Sequence, residues 1–391
     1  MRIFLVAGEP SGDRLGAALM AGLRTLLPDT EIRFEGVGGP LMEAQGLQSL
    51  FPMSDISVMG VSEILSQYRA LKARVVQTAE AVVAARPDVL ITIDLPEFCL
   101  RVAKIVKSKS SIRTVHYVAP TVWAWRPGRA RKMARHIDHV LALLPFEPPY
   151  MEAEGIRCDF VGHPVVTEPV ADAETRDAFR ARHGFGDRPL LLVLPGSRKS
   201  EVTRLGDIFG ETVRLVRQRH PRIGVVVPAA PSVAGLVTEI VGNWPEPALV
   251  LDGGAPDALA EKRAAFGAAD LALAASGTVS LELAAADTPM VIGYDMSWLS
   301  RQIIGRMVQV DTVTLVNLVS ETRSVPEYIG PNCQPDSMAG ALLDLLKDPE
   351  RQKAAMRLTM ERLGRGGTPP GQRAAQAVLD GIAQSPDRAA P

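Results

Sequence analysis

The 391-residue chain has no surplus of charge of either sign: 43 Lys and Arg oppose 44 Asp and Glu, for a formal net charge of -1. That balance removes the broad electrostatic footprint of a nucleic-acid binder and leaves only local basic patches. Cysteine is scarce. Cys99, Cys158 and Cys333 are odd in number, widely spaced and form no CxxC pair, so neither a disulfide framework nor a zinc site is indicated, and the cytosol is the expected compartment. Long apolar runs are missing too. Nothing approaches the roughly 18 to 20 residues of a membrane-spanning helix, so any membrane contact is expected to be peripheral. The first apolar stretch, Ile3-Phe4-Leu5-Val6-Ala7, is too short and too soon broken by glycine for a secretory leader, and export is not expected.

What is present is an ordinary globular composition, 47% hydrophobic and 22% charged, with 30 prolines that suggest many ordered loops. The length exceeds the roughly 250 to 300 residues at which a single core stops growing, which predicts two domains. Short β-branched runs at 2–7, 89–94, 114–118 and 140–144 alternate with helical-period stretches at 15–27 and 98–106, a βα repetition that implies a parallel sheet. Pro164 and Pro169 mark a break, after which a second series begins at 190–194 and continues through 224–227, 248–251, 271–274 and 289–294. From about Asp336 the pattern is purely helical. The expected architecture is α/β: two Rossmann-like doubly wound domains, 1–168 and 169–335, facing across a cleft, then C-terminal helices, 336–391, that cross back or swap between subunits. The cleft is the expected site.

Gly8-Glu9-Pro10-Ser11-Gly12-Asp13 joins the first strand to the first helix, where a nucleotide-binding protein places its phosphate loop. It has neither the Lys-Ser/Thr ending of a P-loop nor GxGxxG spacing, and Glu9 and Asp13 put negative charge where a diphosphate needs donors. Dinucleotide binding is not expected there; Ser11 or Asp13 can serve simply as a helix cap. Asp94 ends a strand before Leu95-Pro96-Glu97, so it is either a candidate base at the cleft or a cap for the next helix. In the loop from Tyr117 to Arg126, Trp123 and Trp125 form a rigid wall beside a sugar or acyl chain, or pack between domains. Arg126, Arg129, Arg131, Lys132 and Arg135 suit a substrate phosphate, anionic headgroups or a solvated helix face. Val58, Met59, Val61, Ile64, Leu65, Tyr68 and Leu71 fall on one helical stripe, suited to lipid or to ordinary burial.

In the second domain Leu194-Pro195-Gly196-Ser197-Arg198 sends a guanidinium from a strand end, and arginine suits bidentate phosphate contact. Ser276-Gly277-Thr278 then opens a helix with a small turn that exposes backbone N–H groups to an anion. Glu282, near the end of that first turn, is placed to accept from ribose hydroxyls or to act as an i, i+4 surface partner. The charges are thus divided: Glu9, Asp13 and Asp94 suit deprotonation of an alcohol, and Arg198 with the open helix terminus suits a departing diphosphate. The layout reads as group transfer from a nucleotide.

Taken in order, Gly8 to Asp13, Gly36-Val37-Gly38-Gly39-Pro40, Met59-Gly60, Asp94 to Phe98, Tyr117 to Arg126, Leu144-Pro145-Phe146-Glu147, Gly162-His163-Pro164, Leu194 to Arg198, Ser276 to Thr278 and Pro289 to Tyr294 resemble the lipid-A-disaccharide synthase family, glycosyltransferases of the two-Rossmann-domain (GT-B) fold, over nearly the whole chain. The resemblance implies inverting transfer of 2,3-diacylglucosamine from its UDP ester to 2,3-diacylglucosamine 1-phosphate (lipid X), giving a β-1,6-linked lipid A disaccharide 1-phosphate and UDP. It implies no metal or other cofactor, no nucleic-acid partner, a Gram-negative source, and a cytoplasmic enzyme lying peripherally on the inner face of the inner membrane. Asp94 matches the family's essential aspartate and Arg198 its nucleotide-site arginine. Gly196, Ser197, Ser276, Gly277, Thr278 and Glu282 fall on the nucleotide side. Glu9, Ser11, Gly12, Asp13, Met59, Trp123, Trp125 and Arg126 fall on the acceptor and lipid side. Pro10 stands where alanine is common, and Leu95 and Glu97 vary the usual loop, but no polar group the chemistry needs is lost. A homodimer remains open. The rivals are a UDP-N-acetylglucosamine 2-epimerase, which needs no second sugar, and a noncatalytic peripheral lipid-binding protein, for which Arg198 and the Ser276 turn would have no use.

Overall fold

The computed structural model describes residues 1–57, 68–124, 128–296 and 311–384. The chain forms two compact units, one from Met1–Pro164 with the segment from Gly366 onward, the other from Val165–Arg365.

The first unit is built on a parallel sheet of β1 (Arg2–Ala7), β2 (Arg33–Val37), β3 (Gln48–Ser49), β4 (Val89–Ile93), β5 (Arg113–Tyr117), β6 (His139–Ala142) and β7 (Arg157–Phe160), in the order β3-β2-β1-β4-β5-β6-β7. Its central strands β1 and β4 are apolar on both faces because both are covered by helices. Ile3, Leu5 and Ala7 enter one core layer while Phe4 and Val6 enter the other. The first layer is closed by the helices Pro10–Leu26 and Pro370–Ala383, which cross so tightly that a Cβ on Gly22 would lie 2.7 Å from the Gly371 oxygen. The second is closed by Tyr68–Ala85 and Pro96–Lys109.

Gly36 in β2 has φ +146°, and a Cβ there would sit 1.7 Å from the carbonyl oxygen of Leu5 in the neighbouring strand. That oxygen belongs to a central ladder and cannot move aside. Gly36→Ala is therefore expected to cost roughly 3 kcal/mol or more, seen as a large fall in the urea midpoint or as insoluble protein; a midpoint like the parent's would refute this reading of the crossing.

The second unit holds β8 (Leu190–Leu194), β9 (Gly224–Pro228), β10 (Leu249–Leu251), β11 (Leu271–Ala275), β12 (Met290–Tyr294) and β13 (Glu327–Ile329), in the order β10-β9-β8-β11-β12-β13. Leu191 and Val193 pack with Phe209 and Val213 of the helix Lys199–Arg219 and with Met338 and Leu342 of the helix Pro335–Lys347. In both sheets the chain winds outward from the first strand and then resumes on its other side. Each unit therefore has a switch point, between β1 and β4 and between β8 and β11, where a crevice forms beyond the strand ends.

The units divide the chain differently from the sequence boundaries. The break falls after Pro164 rather than at 168, and the helical tail is shared: Pro335–Lys347 and Glu350–Arg362 belong to the second unit and Pro370–Ala383 to the first. The physical reason lies in side-chain size. Met338 and Leu342 fill the second core, whereas Ala374, Ala375 and Val378 fit the small-residue face of the helix Pro10–Leu26. Among the described residues no helix is long and apolar enough to cross a membrane.

Candidate active site

At the switch point of the second unit a cavity of about 630 Å³ opens. Gly196, Ser197, Arg198, Ser276, Gly277, Thr278 and Glu282, all the residues expected on the nucleotide side, line it. The end of β9 and the loop after β10 supply Pro228 and Gly253 to the same cavity. Gly196 has φ +122°, and a Cβ there would lie 2.6 Å from the Glu201 carboxylate. Glu201 braces the turn. Its Oε2 accepts from the N–H of Ser197 (3.1 Å) and of Arg198 (3.3 Å), and its Oε1 lies 3.5 Å from Arg198 Nη1. Arg198 is thus held at its root while its side chain stays 76% exposed. Gly277, at φ +154°, has nothing within 4 Å of where a Cβ would stand, so this lip of the cavity is open. Glu282 accepts from Lys262 Nζ at 2.5 Å.

Sequence reasoning missed Glu201 and Lys262. Glu201 stands three residues past the N-cap, a spacing that signals a brace for a helix start. Lys262 carries no local signal, because it reaches Glu282 from a different helix, Ala258–Ala268.

In the first unit the loops after β1 and β4 touch. A Cβ on Gly8 would lie 2.3 Å from Leu95 Cδ2, so glycine is what lets the two strand ends meet. Asp94 (φ +52°), Leu95 (φ +44°) and Val118 (φ +84°) hold left-handed conformations at the ends of adjacent strands. Each such non-glycine residue costs roughly 1–3 kcal/mol and persists only where its surroundings impose it. Here the Asp94 N–H donates to Tyr117 O at 2.9 Å and the Val118 N–H to Leu141 O at 3.0 Å. Burial pushes the Asp94 carboxyl above the ordinary aspartate value, and the N–H of Leu95 pulls it only partway back. A carboxylate so held and made more basic is suited to take a proton. Glu9 is the N-cap of the helix Pro10–Leu26 and is partly buried, Ser11 is exposed in the first turn, and Gly12 is buried beneath it.

Two of the acceptor-side candidates have other duties. Asp13 is buried, and its carboxylate accepts from the N–H groups of Gly39, Leu41 and Met42, each at 3.0 Å. It caps the neighbouring short helix Pro40–Ala44 rather than its own. Trp123 is buried within its own unit, edge-on to Phe146 with centroids 5.1 Å apart, and its indole N–H donates to Glu147 Oε1 at 3.3 Å. An indole with a polar edge goes inside when a buried acceptor is available. Met59, Trp125 and Arg126 lie outside the described residues, as does the 58–65 part of the apolar stripe. Of its remainder, Tyr68 is half-exposed and Leu71 packs on the core. Arg129 and Arg131 pair with Glu97 (3.1 Å) and Glu154 (3.2 Å).

Glu147 also accepts from the N–H groups of Leu143 (3.1 Å) and Leu144 (3.0 Å), yet burial raises its carboxyl from 4.5 to about 7. Between those values the folded protein binds a proton that the unfolded chain does not, so stability falls as pH rises through that window. The whole window corresponds to about 3 kcal/mol. Glu147→Gln removes this titration, and its stability relative to the parent is expected to improve from pH 5 to pH 8 in urea unfolding. A difference independent of pH would contradict the burial argument.

Solved structures with this fold include the UDP-N-acetylglucosamine 2-epimerase of Neisseria meningitidis, bound to UDP-GlcNAc (TM-score 0.62, 11% identity, 98% of this chain and 100% of that one). Another is the Anabaena protein HepE with UDP and glucose (TM-score 0.58, 11% identity, 98% and 99%). The fold is of the two-unit GT-B type, common to these proteins. Sequence similarity narrows it. The family model for lipid-A-disaccharide synthetase matches residues 3–379. The lipid-A-disaccharide synthase of Ruegeria pomeroyi is 63% identical over 97% of this chain and 95% of its own, and that of Rhodospirillum centenum 49% over 97% and 94%. The chain belongs to the lipid-A-disaccharide synthase family. With the epimerases it shares the fold.

Proposed function

We propose that the second-unit cavity holds the UDP of a UDP-2,3-diacylglucosamine donor and that Asp94 activates the acceptor, 2,3-diacylglucosamine 1-phosphate. The observation that carries this reading is the cavity at the β8/β11 switch point, with Arg198, the Ser276–Gly277–Thr278 turn and Glu282 on one wall. Its volume is in the range, about 300–1,000 Å³, of small-molecule sites. Asp94 takes the proton of the acceptor 6-hydroxyl as that oxygen attacks the anomeric carbon. The bond from that carbon to the diphosphate oxygen breaks, and UDP leaves with the electron pair. Attack from the face opposite the leaving group inverts the centre and gives the β-1,6 disaccharide 1-phosphate. Arg198 and the turn at Ser276 take up the charge that grows on the diphosphate, Glu282 accepts from the ribose, and Glu9 and Ser11 border the acceptor.

The enzyme acts at the cytoplasmic face of the inner membrane, the apolar stripe from Val58 to Tyr68 meeting the bilayer that carries both lipids, and it works as a homodimer. The test is incubation of the purified protein with both lipids, without added metal, followed by mass spectrometry. A tetraacyl disaccharide monophosphate with stoichiometric UDP is the expected product. Intact lipids, or UDP released without acceptor, would overturn the assignment. Flotation with anionic vesicles tests the membrane contact, and equal sedimentation with and without lipid would overturn it.

A further inference from the structure

The Lys262–Glu282 pair, together with Leu259, forms a part of the cavity wall that has a second side. Both residues line the nucleotide cavity, and both also line a small adjoining hollow of about 40 Å³ closed by Val165, Pro169 and Phe266. The pair is a partition, about one-third exposed at each partner. Lys262 itself is fixed: its Nζ lies 5.1 Å from the centroid of the buried Phe266 ring, within cation–π range. From there it donates to Glu282 Oε2 at 2.5 Å. Glu282 stands in the first turn of Val279–Ala285, and Lys262 on Ala258–Ala268, so two separate helices must pack before the pair can form.

We infer that Lys262 is a positioning residue for nucleotide sugar recognition: it commits one oxygen of Glu282 and thereby aims the other at the ribose 2′-hydroxyl. This rests on the reading that the ribose lies against Glu282. A free glutamate rotates about three side-chain bonds and must lose that freedom when it binds. Anchoring Oε2 removes that loss and leaves Oε1 as a charged acceptor, and hydrogen bonds to charged groups are the stronger ones. The consequence is specific to a hydroxyl. An ammonium acting on the diphosphate would strengthen every uridine diphosphate alike, whereas a positioned Glu282 strengthens only those with a 2′-hydroxyl.

The test is calorimetric titration of the full-length enzyme with UDP and with 2′-deoxy-UDP. The parent is expected to prefer UDP by about tenfold or more. In Lys262→Met, which keeps the apolar stem on Phe266, UDP affinity should fall about tenfold while 2′-deoxy-UDP stays within about twofold, so the preference collapses. Lys262→Arg keeps the charge and should restore most of the preference, which separates positioning from loss of fold. Equal weakening of both nucleotides in Lys262→Met, or an undiminished preference, overturns the inference. Glu282→Gln reports on the underlying reading. If that variant keeps the full preference, the ribose does not lie on Glu282 and the reading itself is wrong; if it loses the preference while Lys262→Met keeps it, only the role of Lys262 fails.

Discussion

Asp94→Asn is expected to lower kcat by about 10²- to 10⁴-fold, the contribution typical of a positioned base, while UDP binds as before and the protein stays folded. The choice of asparagine follows from the backbone. At φ +52° most side chains are strained, but asparagine tolerates this region well, so the substitution removes the negative charge with the least disturbance. Alanine would add strain to the same loss. Burial penalises the charged carboxylate, so the neutral amide should leave stability at pH 8 equal to or above the parent's, the pattern of a residue kept for chemistry at a cost in stability. The parent's pH profile provides an independent check. Only the deprotonated carboxylate accepts a proton, so kcat/KM should fall on acidification with a midpoint above the ordinary aspartate range. Turnover in Asp94→Asn within a few-fold of the parent would remove Asp94 from the mechanism.

The strands that a periodic reading finds are the interior ones β1, β4, β5, β6, β8, β9, β11 and β12, where helices on both faces force unbroken apolar runs, and one edge, β10, whose Leu249-Val250-Leu251 is apolar too. The strands it passes over have different chemistry. β3 (Gln48–Ser49) and β7 (Arg157–Phe160) are polar edges, and β13 (Glu327–Ile329) is a short one. β2 (Arg33–Val37) is interior, but it carries charge and a glycine whose absent side chain is the point. The second-unit cavity was legible in part: small residues directly after a strand expose the backbone, and all seven candidates line one cavity, but Glu201 and Lys262 of the same lining were missed. The acceptor side was less so. A carboxylate just after a strand looks the same in sequence whether it faces a ligand or, like Asp13 in the first turn of its helix, three N–H groups at the start of a neighbouring one. A tryptophan likewise gives no sign that a buried Glu147 waits 24 residues on. Long-range pairing decides both, and no local pattern encodes it.

Arg198→Ala should weaken UDP binding by about 10- to 100-fold, the worth of charge-assisted hydrogen bonds to phosphate, and should lower kcat/KM by more than that. The inequality carries the mechanism. UDP as a bound product measures contact with a diphosphate already formed, whereas the transition state is the stage at which charge arrives, and a donor aimed at arriving charge contributes most there. The fold should be indifferent. The side chain is 76% exposed and its contact with Glu201, at 3.5 Å, is long, so unfolding should shift by no more than about 0.5 kcal/mol. Glu201 continues to hold the Ser197 and Arg198 N–H groups through the backbone, which keeps the turn in place when the guanidinium is gone. Arg198→Lys separates charge from shape: an ammonium restores attraction but not the two-pronged contact, so it should recover binding more fully than turnover. An unchanged UDP affinity in Arg198→Ala would place the diphosphate elsewhere in the cavity. Equal losses in affinity and in kcat/KM would leave Arg198 as an anchor for the nucleotide and shift stabilisation of the departing charge to the turn at Ser276.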